Sequence, residues 1–79
     1  MSNNDYQKQL IMLGLNIARY RRLRGMTQQE LALEASMSRT HLSNLEAPGR
    51  AASISLEKLF AIASALHIPV SALFDFDKS

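Results

Sequence analysis

The chain has 79 residues, a formal net charge of +2 and no cysteine. A chain of this length forms one domain near the lower limit for an unaided hydrophobic core, and the lack of cysteine excludes disulfides and thiolate metal sites. His41 and His67 stand far apart without acidic or thiol companions, so no zinc site is indicated. No apolar run approaches the roughly 20 residues of a membrane span, and the N-terminus does not resemble a signal peptide. We therefore expect a soluble cytoplasmic domain without cofactor or metal.

Positive charge is concentrated in the first part of the chain. Residues 1–50 hold seven Lys and Arg against four Asp and Glu, a balance of +3, whereas residues 51–79 hold two against three, a balance of −1. A basic half is the electrostatic footprint that phosphate binding requires. On charge alone, a solvated charged face is an equally good interpretation.

Apolar residues recur at spacings of four and three near the N-terminus, which predicts an amphipathic helix from Asn4 or Asp5 to Arg24. Gly25 is expected to end this helix as its C′ residue, with Arg22 and Arg24 in the last turn, where cations suit the helix dipole. The predicted apolar stripe consists of Tyr6, Leu10, Leu13, Ile17 and Tyr20.

Two short helices joined by a tight turn are predicted between Thr27 and Glu46. Thr27 and Glu30 have the spacing of a capping box, and Ser38 supplies a second N-cap after an interruption at residues 36–38. Apolar residues at helical spacing form the inner faces of the two helices. They are Leu31, Ala32, Ala35, Leu42 and Leu45.

The second of these helices turns polar side chains away from its inner face. Arginine can donate two hydrogen bonds to guanine O6 and N7, asparagine can pair with adenine, and the threonine methyl can contact the thymine methyl. A helix that shows Arg39, Thr40 and Asn44 outward therefore suits a DNA major groove. Without a motif around them, three such side chains would usually face only solvent.

The remaining chain is predicted to form two more helices. Residues 47–50, Ala-Pro-Gly-Arg, break the preceding helix. Ser55 caps a fourth helix, and His67 occupies its C′ position, since histidine tolerates the left-handed conformation better than most residues. Pro69 begins a short fifth helix, and residues 75–79 form a polar tail. The predicted inner face of the fourth helix consists of Leu56, Leu59, Phe60, Ala63 and Leu66. The predicted inner face of the fifth helix consists of Val70, Leu73 and Phe74.

The residues that carry a family resemblance are Thr27 to Ala32, Leu45-Glu46, Arg21, Gly25-Met26, Leu59 and Leu73-Phe74. Their pattern resembles the phage-repressor/Cro-like (XRE) helix-turn-helix family over roughly residues 13–74. The segment Ser38 to Ser43 also resembles the recognition helices of restriction-modification controller proteins, more weakly. One departure is Ser36, because the family usually carries glycine at this turn and a non-glycine residue adopts the left-handed conformation at a cost of roughly 1 kcal/mol.

The resemblance implies an all-α, compact, five-helix, lambda-repressor-like DNA-binding domain occupying residues 1–79. Its helix-turn-helix is residues 27–46, and residues 1–12 extend the first helix beyond the family pattern. The implied function is that of a sequence-specific transcriptional regulator, which binds double-stranded DNA as a homodimer on a pseudo-palindromic operator through recognition helix 39–46. The alternative is an antitoxin-like interaction module that binds a partner protein. An enzyme is not indicated, since the sequence predicts no strands, metal cluster or Gly-rich phosphate loop.

The resemblance also assigns roles to individual residues. The residues expected to contact base edges are Arg39, Thr40 and Asn44. The residues expected to contact the DNA backbone are Gln28, His41, Ser43 and Arg50. The alternative for His41 and Ser43 is that they contact nothing. Arg21 and Glu46 would form a largely buried ion pair with a structural role, because a carboxylate beside phosphate would repel it. The implied dimer surface comprises Ile68, Val70, Leu73, Phe74 and Phe76.

Overall fold

Four α-helices and a 3-10 helix make up the fold in a computed structural model that describes residues 4–76, with side chains from Tyr6 onward. The helices are α1 (Asn4–Leu23), α2 (Gln28–Glu34), α3 (Arg39–Glu46) and α4 (Leu56–Leu66), followed by the 3-10 helix Val70–Phe74. No strand occurs between residues 4 and 76, so the all-α prediction is confirmed. The fifth predicted helix is a single 3-10 element, because five residues after Pro69 cannot complete a stable α-helix. The start of the extension and the end of the polar tail lie outside the described residues.

Local capping chemistry sets where the helices begin. Thr27 Oγ1 accepts the Glu30 amide at 3.1 Å, and Glu30 Oε1 accepts the Thr27 amide at 2.8 Å. This reciprocal pair confirms the predicted capping box at α2. The hydroxyls of Ser38 and Ser55 likewise accept the amide three residues on, at the starts of α3 and α4. Each serine side chain therefore satisfies a donor that has no partner within its own helix.

Left-handed backbone occurs at the three helix ends where the sequence predicted it. Gly25 has φ 70°, Ser36 has φ 55° and His67 has φ 60°. Glycine adopts this conformation without a steric penalty, whereas Ser36 and His67 each do so at a cost of roughly 1 kcal/mol. Contacts with neighbouring residues must therefore hold these two exposed residues in place.

All four α-helices and the 3-10 helix contribute to one core. Helix α3 packs on α1 and α2, α4 packs on α2, and the 3-10 helix packs on α1 and α4. None of the helices among residues 4–76 is long and apolar enough to cross a membrane. The largest fully buried side chains are Ile17, Leu31, Leu42, Ile62, Leu66 and Leu73.

The predicted inner face of α4 was wrong at two positions. Leu56 is 68% exposed and Phe60 is 54% exposed, whereas Ile62 is completely buried. The buried face runs through Leu59, Ile62, Ala63 and Leu66, the spacing of a single helix face, and Leu56 and Phe60 lie on its flank. Apolar residues occur on both sides of this helix, so the pattern alone could not identify the side that faces the core.

The C-terminal segment requires two further corrections. Leu73 was assigned to the dimer surface, but its side chain is completely buried in the core and cannot contact a partner. Phe74 was assigned to the inner face, but it is 48% exposed. Consecutive residues of a 3-10 helix point about 120° apart, so only one of these two neighbours can face α1 and α4.

Asn16 and Arg24 attach neighbouring elements to α1 through backbone carbonyls. The buried Asn16 Nδ2 donates to the Leu73 carbonyl at 2.9 Å and to the Asp75 carbonyl at 3.3 Å. Arg24 lies just beyond the end of α1, and its Nε donates to the Leu66 carbonyl at 2.7 Å. Arg24 therefore caps the C-terminus of α4, where carbonyls lack helical partners, instead of the last turn of its own helix.

Gly14 allows α1 to approach the end of α3 very closely. A Cβ atom built on Gly14 would lie 1.7 Å from the Leu45 carbonyl oxygen and 2.8 Å from its carbon. Both clashing atoms belong to backbone, so they cannot move aside as a flexible side chain would. The distance between the two helices therefore depends on the absence of a side chain at residue 14.

Arg21 and Glu46 join the same two helices through a bidentate ion pair. Arg21 Nε lies 2.8 Å from Glu46 Oε2, and Arg21 Nη2 lies 2.9 Å from Glu46 Oε1. Arg21 Nη1 also donates to the Met26 carbonyl at 2.7 Å. The two side chains are only 11% and 4% exposed. Such a desolvated pair depends on this complete set of hydrogen bonds.

We expect Gly14→Ala to lower the free energy of unfolding by about 1–3 kcal/mol or more, because the added methyl forces α1 and α3 apart. Gly49→Ala is the matched control, since a Cβ there meets no heavy atom within 4 Å. Its effect should stay within about 0.5 kcal/mol. Urea unfolding followed by circular dichroism measures both values. Equal stability of the two variants would show that α1 and α3 leave room for a Cβ atom at residue 14.

We expect Arg21→Ala and Glu46→Ala each to reduce stability by roughly 3–5 kcal/mol, because each leaves a buried charge without its partner. Arg22→Ala removes an exposed arginine from the same helix and should change stability little. Thermal unfolding of the three variants provides the comparison. Similar melting temperatures for all three would mean that the Arg21–Glu46 pair is solvated.

Candidate nucleic-acid interface

Helix α3 presents one continuous polar face to solvent. Arg39 and Thr40 are exposed in its first turn. Ser43 lies four residues after Arg39, Asn44 lies four residues after Thr40, and both are half-buried. Residues four apart lie on the same helix face, so the four side chains form a single surface. The sequence predicted Arg39, Thr40 and Asn44 as base-reading residues. The structure places them on one surface together with Ser43, which was predicted to contact the DNA backbone.

The opposite face of α3 is fixed in the core. Leu42 is fully buried and Leu45 is 4% exposed, while Glu46 forms the ion pair with Arg21. These residues prevent rotation of the helix about its axis, because any rotation would expose leucine or separate the buried charges. The polar face therefore has a defined direction relative to the rest of the domain.

Gln28 connects the start of α2 to the end of α3. Its Nε2 donates to Glu46 Oε1 at 2.9 Å, and the side chain is half-buried. The predicted backbone-contacting residue thus belongs to the same hydrogen-bonded group as the ion pair. A side-chain amide carries two N–H donors, so one donor remains for a second acceptor.

His41 points toward the loop between α3 and α4. Its Nε2 lies 3.2 Å from the Ser53 carbonyl oxygen, and its side chain is half-buried. A neutral ring protonated at Nε2, or a fully protonated ring, donates this hydrogen bond. His41 therefore attaches the loop to α3. Arg50 lies in that loop and is exposed.

Lys58 holds the turn between α2 and α3 from the first turn of α4. Its Nζ donates to the Ala35 carbonyl at 3.2 Å and to the Ser36 carbonyl. Sequence reasoning missed Lys58, as it missed Gly14 and Asn16. One signal was available for Lys58, since a cation in the first turn of a helix opposes the helix dipole and indicates a partner elsewhere.

A second surface lies at the C-terminal end of the described chain. The Phe74 and Phe76 rings pack edge to face, with centroids 6.3 Å apart and an interplanar angle of 61°. These rings, together with α1, line an open groove with a volume of about 280 Å³. Ile68 and Val70, also assigned to the dimer surface, are half-buried. The residues of α1 in this groove are Tyr6, Gln9, Leu10 and Leu13.

Similar folds occur among solved structures, including two proteins that are each 28% identical to this chain. The restriction-modification controller protein C.AhdI from Aeromonas hydrophila is 28% identical, with a TM-score of 0.75 over 82% of this chain and 96% of its own. A hypothetical transcription factor, NHTF, from Neisseria is also 28% identical, with a TM-score of 0.76 over 86% of this chain and 74% of its own. No curated protein sequence matches the chain.

The helix-turn-helix family model matches residues 17–73, which is more than half of the chain. The matched region begins in α1, includes the whole of α2, α3 and α4, and reaches the 3-10 helix. It therefore contains the polar face of α3 and most of the residues that fix it. The chain belongs to the helix-turn-helix family of DNA-binding transcriptional regulators.

Proposed function

We propose that this regulator reads a specific duplex sequence by placing α3 in the major groove, and that it does so as a homodimer. The observation that supports this proposal is the polar face of α3, which is exposed in the first turn and half-buried in the second, on a helix whose other side is fixed in the core. A helix held in one orientation can bring its side chains to base edges without ordering itself on binding. That preorganisation favours discrimination between sequences.

Arg39, Thr40 and Asn44 are the proposed base-reading residues. Arg39 and Thr40 are exposed at the start of α3, and Asn44 lies on the same face one turn later. A bidentate contact from arginine to guanine, or from asparagine to adenine, is worth about 1–3 kcal/mol of discrimination. Two such contacts and one methyl contact would distinguish several base pairs within one half-site.

Contacts to the DNA backbone would orient α3 in the groove. We assign them to Gln28 through its remaining amide N–H, to Ser43 through its hydroxyl and to Arg50 through its charge. His41 is reassigned, because its Nε2 already contacts the Ser53 carbonyl in the loop that carries Arg50. It would act by holding that loop, while its other ring nitrogen can still face a phosphate. Such contacts supply affinity and register but little sequence information.

Homodimerisation is proposed at the apolar surface formed by Phe74, Phe76, Ile68 and Val70. Phe74 is 48% exposed beside Phe76, and the groove against α1 continues the apolar surface. Large aromatic side chains that remain exposed in a monomer are typical anchors of an interface. A two-fold dimer would place two α3 helices about 34 Å apart, so its operator would be a pseudo-palindrome.

The proposed roles of Arg39 and Arg50 are distinguishable by binding measurements. Arg39→Ala should cost about 1–3 kcal/mol on the preferred duplex and should relax the preference at one base pair, because a base contact is lost. Arg50→Ala should weaken all duplexes alike and reduce the salt slope by about one, because a phosphate contact is lost. The measurement is binding to the preferred duplex, its single-base variants and random duplex across a salt series.

Two results would contradict this assignment. Unchanged relative preferences in Arg39→Ala would show that Arg39 does not read sequence. A wild-type protein without any preference would favour instead a protein-interaction role of the antitoxin type.

We expect Phe74→Asp to produce a folded monomer with weakened operator binding, because a carboxylate in an apolar interface would lose its hydration. A central aromatic of this kind contributes about 2 kcal/mol or more to association. Leu23→Asp is the control, since Leu23 is 71% exposed near the other end of α1. Sedimentation velocity measures the state of each variant. If Phe74→Asp remains a dimer, the interface lies elsewhere, and the exposed pair Leu56 and Phe60 on α4 becomes the next candidate.

A further inference from the structure

Lys58 makes a contact that the chemistry of its own helix does not explain. It is the third residue of α4, after the N-cap Ser55, at the end of the helix where the dipole is unfavourable for a cation. Its Nζ instead donates to the carbonyls of Ala35 and Ser36, more than 20 residues earlier in the chain. The ammonium thus lies at the C-terminal end of α2, where carbonyls lack helical partners and a positive charge is favourable.

The backbone of the turn leaves these two carbonyls for Lys58. The Met37 amide donates to the Ala32 carbonyl at 2.9 Å, and the Ser36 amide donates to the Leu33 carbonyl at 3.2 Å. The carbonyls of Ala35 and Ser36 lie beyond these bonds, and Lys58 is the donor that the structure gives to both. One side chain therefore supplies a hydrogen-bond donor to both carbonyls.

The turn joins α2 to α3, so its backbone conformation affects the angle between the two helices. Ala35 is the C-cap of α2, and Ser36 adopts φ 55°, a conformation with a steric cost for serine. A residue in a costly conformation persists only where the surroundings hold it. The charge-assisted hydrogen bonds from Lys58 stabilise this conformation, and α3 begins three residues after Ser36.

We propose that Lys58 is a positioning residue for DNA reading, which fixes the direction of α3 by holding the Ala35–Ser36 turn. This inference rests on the proposed reading of duplex DNA by α3. Lys58 itself contacts no base in this role, and its ammonium is already directed at two backbone carbonyls. Its effect on DNA binding is transmitted through the backbone of the turn to Arg39 and Thr40.

The test uses three variants of the full chain. Lys58→Met removes the ammonium but keeps an unbranched apolar stem that can occupy the same path. Lys58→Arg restores a cation whose several N–H groups can again bridge two carbonyls. Lys8→Met is the matched control, because it removes the same charge from an exposed position on α1. All binding is measured below the melting temperature of every variant.

We expect Lys58→Met to lose about tenfold in affinity for the preferred duplex, because a smaller fraction of the molecules would hold α3 in the orientation that reads DNA. Its affinity for random duplex and its salt slope should change no more than those of Lys8→Met. Lys58→Arg should recover most of the lost preference. In the free protein, the amide resonances of residues 36–40 should shift in Lys58→Met and remain in place in Lys8→Met.

Three results would overturn the proposal. If Lys58→Met lost affinity equally for preferred and random duplexes and had a smaller salt slope than Lys8→Met, Lys58 would be a direct phosphate contact. A lower melting temperature with unchanged preference and unchanged resonances of residues 36–40 would make it a stabilising residue only. A wild-type protein without duplex preference would overturn the proposed function and the role in reading together, whereas the resonances would report separately on the turn.

Discussion

Glu46 ties the end of α3 to two other helices through one buried carboxylate. Arg21 of α1 contacts both of its oxygens, and Gln28 of α2 donates to Oε1. A carboxylate that is only 4% exposed requires partners of this kind, since an unpaired buried charge is strongly destabilising. The relative positions of α1, α2 and α3 are therefore coupled at this point. The direction of the polar face of α3 follows from that coupling.

Other contacts hold α3 along the rest of its length. The bare backbone of Gly14 allows α1 to lie against Leu45, and Lys58 holds the turn that precedes the helix. Leu42 fixes the middle of the helix in the core. A binding surface on such a supported element keeps its geometry better than one on a free loop. The proposed reading of sequence by α3 depends on that rigidity.

Local chemistry explains which features the sequence could predict. The capping box at Thr27, the serine caps and the left-handed conformations at Ser36 and His67 depend on residues a few positions apart. The polar face of α3 was predictable for the same reason, since helical spacing alone defines it. Gly14, Asn16 and Lys58 act on backbone atoms 22 or more residues away, so no local pattern reveals which atoms they contact. The burial of Leu73 and the exposure of Leu56 and Phe60 likewise depend on which neighbours pack against each helix.

Selection from a pool of random duplexes tests the central claim most directly. The wild-type protein is incubated with the pool at physiological salt, and the retained fragments are sequenced after several rounds. We expect an inverted repeat whose two half-sites have centres about 34 Å apart, the spacing of two recognition helices in a two-fold dimer. Enrichment of a guanine or adenine within each half-site would agree with Arg39 and Asn44 as reading residues. Retained fragments without a common sequence would contradict the claim that α3 reads DNA.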